Sequence, residues 1–273
     1  HANTAKMLSL IMKAVFMTSS FNKLFGRFFG FLFTAVLLSS CLSESEGDFT
    51  GEGRGGSMAR FTFLKGYLYI VDNSSLKTID IMQPENPQVI STIQLNAGIE
   101  TIFPYENYLF LGSQFGMYIY SLEDGPVPTF LSLFEHSYSC DPVVVANGVA
   151  YVTLRSGTSC NAGPNRMEVV DVTDFTNPQL IQTIPMVNPH GLTISDTLLF
   201  VGEGDFGLKV FNIKDRRDPV LMSYDETIPT YDVINNYSRK ELIITGSSGV
   251  YQYSYQNPDS LFQLSQIISN KNQ

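Results

Sequence analysis

Tyr67-Leu68-Tyr69-Ile70-Val71-Asp72, then Leu76-Lys77-Thr78-Ile79-Asp80-Ile81, then Asn86-Pro87 is the stretch on which the fold turns. Two short apolar runs rich in Tyr, Ile, Val and Leu, parted by Asn-Ser-Ser and closed by a proline, have the length and composition of paired strands. The phrase is written five times. Its central apolar residue recurs as Tyr69, Phe110, Tyr151, Phe200 and Ile243, and its second run begins at Leu76, Met117, Met167, Leu208 and Val250. Prolines at 87, 128, 178 and 219 close the first four copies, with steps of 41, 50 and 41 residues. Repeats of this size built from short strands mean a propeller. The expectation is an all-β chain, a five-bladed β-propeller built from four-stranded repeats of about 41 residues.

Within the first copy the pattern predicts strands over 60–64, 67–71, 76–81 and 88–95, and in the second over 101–103, 108–111, 117–122 and 129–134. The A strands of the remaining copies pass through Val143, Leu192 and Val233. Five such copies use nearly all of residues 58–268, so the propeller is assigned 58–273 with no second domain.

The sequence before the propeller is of another kind. Lys23 and Arg27 precede the apolar run Phe28–Leu38, which is short for a membrane-spanning helix and reads as an export segment within residues 1–40. The run ends in Leu38-Ser39-Ser40-Cys41, which resembles the lipobox of bacterial lipoproteins; that resemblance implies a lipidated Cys41 as the mature N-terminus. Leu42 to Ser57, rich in Ser, Glu and Gly, reads as part of a flexible tether over 41–57. Glu44, Glu46 and Asp48 resemble a surface-export signal in loosened form, so an outer membrane lipoprotein on either the periplasmic or the cell-surface side is expected.

The leader also hides the charge of the rest. It holds four of the 17 basic residues and no acid, leaving 13 bases against 26 acids and a formal charge of −13. Such a surface repels phosphate backbones, which excludes nucleic acid as a partner. The expected partners are a membrane, through the lipid, and an envelope protein or glycan.

Met167-Glu168-Val169-Val170-Asp171-Val172 repeats the first phrase and is likewise followed by an Asn-Pro turn. With Asp141-Pro142-Val143-Val144-Val145, Ala150-Tyr151-Val152-Thr153-Leu154-Arg155-Ser156-Gly157 and Asn188-Pro189-His190-Gly191-Leu192, it resembles LVIVD-repeat lipoproteins of Bacteroidetes. The resemblance covers the whole propeller and implies a bacterial β-propeller lipoprotein, with no established enzymatic activity.

Cysteine usage is compatible with export. With Cys41 lipidated, Cys140 and Cys160 remain, one at the entry to the third A strand and one in the enlarged loop after the third B strand. Antiparallel topology puts both at one end of the blade, where a disulfide would pin the loop; two separate buried thiols are the alternative.

Counting back ten residues from the central residue of copies two to four, and eleven in copy five, gives Glu100, Asp141, His190 and Asp232. In a propeller the A strands surround the central channel, so these four form a partial ring at one mouth, bordered by Arg155, Glu203 and Asp205. Convergent charge on a concave surface is a candidate site. Three carboxylates and an imidazole suit a divalent cation or a polar ligand such as a sugar, although the same residues serve equally to cap strand ends; no other cofactor is expected. No nucleophile elbow, zinc-protease helix or phosphate loop is present. The reading is a non-enzymatic binding or scaffolding propeller; the alternative is a glycoside hydrolase using Glu100, Asp141 and Asp232 as channel-mouth carboxylates.

Overall fold

A computed structural model describes residues 56–96, 98–136, 142–156 and 163–269. Cys41, Cys140, Asp141 and Cys160 lie outside the described residues, as do the leader and nearly all of the tether, so the lipidation and disulfide expectations are not addressed there. Twenty strands form five antiparallel four-stranded sheets, each in sequential order, and the chain is a five-bladed β-propeller. The blades are β1 (Phe61–Leu64), β2 (Tyr67–Val71), β3 (Ser75–Asp80), β4 (Gln88–Gln94); β5 (Ile99–Tyr105), β6 (Tyr108–Ser113), β7 (Gly116–Ser121), β8 (Thr129–Glu135); β9 (Val143–Ala146), β10 (Val149–Leu154), β11 (Arg166–Asp171), β12 (Gln179–Pro185); β13 (Leu192–Ser195), β14 (Leu198–Gly202), β15 (Leu208–Asn212), β16 (Val220–Asp225); and β17 (Asp232–Asn236), β18 (Glu241–Gly246), β19 (Gly249–Ser254), β20 (Phe262–Ile268). The described residues contain no helix long and apolar enough to cross a membrane.

The repeat that the sequence displays has three physical causes. First, each third strand ends in a short polar side chain that accepts the backbone N–H two residues on: Asp80 from Met82, Ser121 from Glu123, Asp171 from Thr173, Asn212 from Lys214 and Ser254 from Gln256. These turns of Asp, Asn and Ser redirect the chain into the outer strand. Second, all five outer strands carry a register shift against the third strand at the same place, for example between Thr78 and Ile79 and between Gln252 and Tyr253. One extra residue per outer strand sharpens the local twist that each blade needs.

Third, the central residue of the second strand in each of the first four blades fastens that blade to the next. The Tyr69 hydroxyl donates to the Pro126 carbonyl at 3.0 Å, and the Tyr151 hydroxyl donates to the Arg216 carbonyl at 2.8 Å. Phe110 meets Phe175 edge-on at 6.2 Å, and Phe200 lies 5.1 Å from Tyr255. Pro126, Phe175, Arg216 and Tyr255 all belong to the connection between the third and fourth strands of the following blade. The first four central residues are buried, whereas Ile243 of blade five is 40% exposed.

Burial follows this chain of contacts. Apolar clusters join blades one and two, blades two to four, and blades four and five. No such cluster among the described residues joins blade five to blade one. What reaches towards it is the segment before β1: Gly56 lies against Asp232 and Ile234 of blade five, and the Ser57 hydroxyl accepts the Leu192 N–H of blade four at 2.7 Å.

Candidate functional site

The starts of the inner strands meet around a small cavity of about 90 Å³, lined by Arg60, Glu100, Arg155 and His190 with Thr101 and Pro142 between them. Three of the five expected site residues, Glu100, Arg155 and His190, therefore share one hollow. Asp141 lies outside the described residues. Asp232 sits beside the hollow without lining it.

His190 is held from four directions. Its N–H donates to the Gly202 carbonyl at 2.8 Å, and its own carbonyl accepts the Thr153 hydroxyl at 2.8 Å. Ring atom Nδ1 lies 2.7 Å from the Asn188 carbonyl, and Nε2 lies 2.6 Å from Arg155 Nη1. A guanidinium only donates and a carbonyl only accepts, so this network assigns the proton to Nδ1 and leaves Nε2 as the acceptor. Burial pushes the imidazole below its ordinary range; the bond to Asn188 opposes that, and the charge of Arg155 reinforces it. His190 is thus a neutral acceptor aimed at Arg155, whose guanidinium is itself lowered by burial and supported by the charge of Glu100. The Tyr231 ring meets the imidazole edge-on at 4.8 Å and donates its hydroxyl to Asp205 at 2.8 Å.

Asp232 has a different environment. One oxygen accepts the Val233 N–H at 3.0 Å, and the carboxyl is wedged between two glycines. A Cβ on Gly191 would lie 2.1 Å from Asp232 Oδ1, and one on Gly56 would lie 2.6 Å from Oδ2. The glycine of Pro189-His190-Gly191 is therefore needed for the space it leaves, since its backbone is not in the left-handed region. Enclosure raises the Asp232 carboxyl from 3.8 to about 6, with the hydrogen bond from Val233 opposing.

Glu203 does not border the mouth as expected. It is fully buried, pairs with Lys209, and accepts the N–H groups of Val187 at 3.2 Å and Asn188 at 2.6 Å. Its role is to brace the loop that carries His190, and Lys209, 5.0 Å above the Tyr224 ring, neutralises it in place. The signal for this pair was legible as a lysine inside an otherwise apolar strand, Leu208-Lys209-Val210-Phe211, because a charge placed in a core needs a partner. Gly204, with φ of 61°, completes the brace: a Cβ there would meet the His190 ring at 2.7 Å.

Among the described residues no three His, Cys, Asp or Glu side chains converge as metal ligands would. Glu100 is the one carboxylate lining the cavity among those residues, and the cation expectation also involved Asp141.

No protein-family model matches the chain, and no curated protein matches it. Its backbone is similar to solved structures. A protein of unknown function from Desulfotomaculum acetoxidans shares 13% identity over 75% of this chain and 67% of that one, with a TM-score of 0.62. A Lactobacillus plantarum protein matches at 12% identity, 75% and 68% coverage and a TM-score of 0.60. The periplasmic gluconolactonase of Pseudomonas aeruginosa matches at 13% identity, 75% and 68% coverage and a TM-score of 0.58. At such identities the likeness establishes the fold alone.

Proposed function

We propose that this chain is a lipid-anchored binding propeller of the bacterial cell envelope, related to LVIVD-repeat lipoproteins, which recognises a polar partner such as a glycan at the channel mouth. The observation that carries the binding reading is the commitment of the mouth residues to one another. Arg155 donates to a His190 ring whose tautomer is fixed from the other side, and Glu203 holds the loop from below. Such a constellation presents a rigid set of donors and acceptors to a ligand.

A hydrolase is the second reading, and one observation favours it: a carboxyl raised to about 6 is suited to general acid work. Against it, Asp232 is walled in by Gly56 and Gly191 and does not line the hollow that Glu100 lines, whereas inverting or retaining chemistry needs two carboxylates flanking one scissile bond.

Both readings meet one experiment on the full chain. Immobilised glycans are presented to the native protein and to Arg155→Ala, and the same preparations are given aryl glycosides. The binding reading expects retention that falls at least tenfold in Arg155→Ala, with no release of the aryl group. Aryl release by the native protein that disappears in Asp232→Asn would replace it with the hydrolase, and equal retention by both proteins would remove the mouth from the function. Lipidation at Cys41 is checked separately by incorporation of labelled palmitate that Cys41→Ser abolishes.

A further inference from the structure

The inner strands run from the mouth just described to a second hollow at their far ends, of about 380 Å³. Its walls are Phe103 of β5, Val145 of β9, Ile194 of β13 and Ile234 of β17, with Arg216 and Asp196 among its polar lining. The size lies within the range that small organic ligands occupy, and an apolar wall with a few charged groups is the usual composition of such sites. The wall is rigid: Asn235 donates to the Ile194 carbonyl at 3.1 Å and accepts the Tyr255 hydroxyl at 2.6 Å, tying blades four and five together.

Arg216 supplies the specific signal. It comes from the β15–β16 connection, and its main chain is fixed because its carbonyl receives the Tyr151 hydroxyl. Its side chain is half-buried: Nη1 is shut off from water, the guanidinium charge acts on the Tyr151 hydroxyl, and the accessible remainder lines the hollow. Arg216 lines the hollow, and a guanidinium there is complementary to a carboxylate oxygen. Asp196, exposed at the tip of the β13–β14 turn, lines the same hollow and forms no ion pair with Arg216. A carboxylate there repels a second negative charge on a ligand, so the hollow favours one anionic group over two. The chain as a whole has a formal charge of −9, so attraction for an anion here is local to Arg216.

We propose that this far mouth binds a small organic monocarboxylate, with Arg216 as its anion partner and Phe103, Val145, Ile194 and Ile234 as the seat of its apolar body. The probe is a fluorinated phenylpropionate, followed by its fluorine line width on titration with the full chain in low salt. Saturable broadening is expected, weakened about tenfold or more by Arg216→Gln and unchanged by Arg155→Gln at the other mouth. The methyl ester of the probe, which keeps the apolar body and loses the charge, binds the native protein about tenfold or more weakly than the acid. That comparison stands even if Arg216→Gln fails to fold. No broadening with the native protein, an ester that binds as well as the acid, or a loss that follows Arg155 in place of Arg216 each overturns the proposal.

Discussion

Asp232 is a half-buried acid with a single hydrogen bond to offset its desolvation, and this makes it a stability statement as well as a site residue. Its folded value of about 6 lies above the unfolded 3.8, so the folded state holds its proton more tightly. The stability present below about pH 4 is therefore lost as pH rises to about 6, and the full loss persists above that. Asp232→Asn keeps an acceptor for Val233 and removes the charge. It is expected to stabilise the protein by about 1–2 kcal/mol at pH 8 and to change little at pH 4, measured by urea unfolding at both values. His190 works in the opposite sense: its lowered value costs stability as pH falls below the ordinary histidine range of about 6.5, so these two groups together favour the fold least between about pH 4 and 6.5, with Asp232 contributing fully below that window and His190 fully above it. Counting back from the central aromatic residues was enough to bring Glu100, His190 and Asp232 to one end of the channel, because strand periodicity fixes height along the fold. It could not tell which side chains enter the hollow. Asp232 is turned aside by the space at Gly56 and Gly191, and Glu203 is drawn inward by Lys209; both are packing outcomes without a local sequence signal beyond the lysine itself.

At the scale of strands and turns, the repeat is legible because each of its marks has a mechanical task. The central residue of a second strand carries weight only where a following blade receives it. Phe110 is fully buried against Phe175, and truncating it to Ala is expected to cost about 3–5 kcal/mol. Tyr151→Phe removes one hydrogen bond and leaves the Arg216 carbonyl without it, at about 1 kcal/mol. Ile243→Ala, at the equivalent but 40% exposed position, is expected to cost less than about 1 kcal/mol, since most of its surface is never removed from water. Equilibrium unfolding of the three variants checks the ranking; a loss at Ile243 comparable to that at Phe110 would mean that a sixth surface covers it. Strand positions were read to within a residue or two for blade one, where β2 runs Tyr67–Val71 as expected. In blade two the expected 101–103 extends to Ile99–Tyr105, because Pro104 sits at a channel-side edge of the sheet, where its missing N–H does not end the strand. The outer-strand bulges went unread, since an extra residue in a strand leaves no mark in apolar alternation until the pairing is known.

At the scale of the molecule, five copies of one phrase specify five blades but do not specify how the last meets the first. Closure depends on the end copies, and these depart most from the pattern: blade five has Ile243 where the others have an aromatic ring, and blade one begins with Phe61, 53% exposed. Three apolar clusters bind neighbours from blade one through blade five, while at the seam between five and one Gly56, ahead of β1, lies against Asp232 and Ile234 of blade five. Since repeat arrays gain stability from neighbour interfaces, a blade with one packed neighbour is held less tightly than a blade with two. Blades two to four have apolar neighbours on both sides; blades one and five have one each. Native-state hydrogen exchange should therefore open β17–β20 and β1–β4 first, with β9–β12 at the centre of the largest cluster opening last. An all-or-none pattern, with amides of β18 as protected as those of β10, would show instead that the seam is closed in solution by a surface beyond the described residues. The graded pattern would make the seam the most easily opened part of the propeller, and a ligand that bridges blades four and five at the far mouth should then slow exchange in β17 ahead of every other strand of blade five.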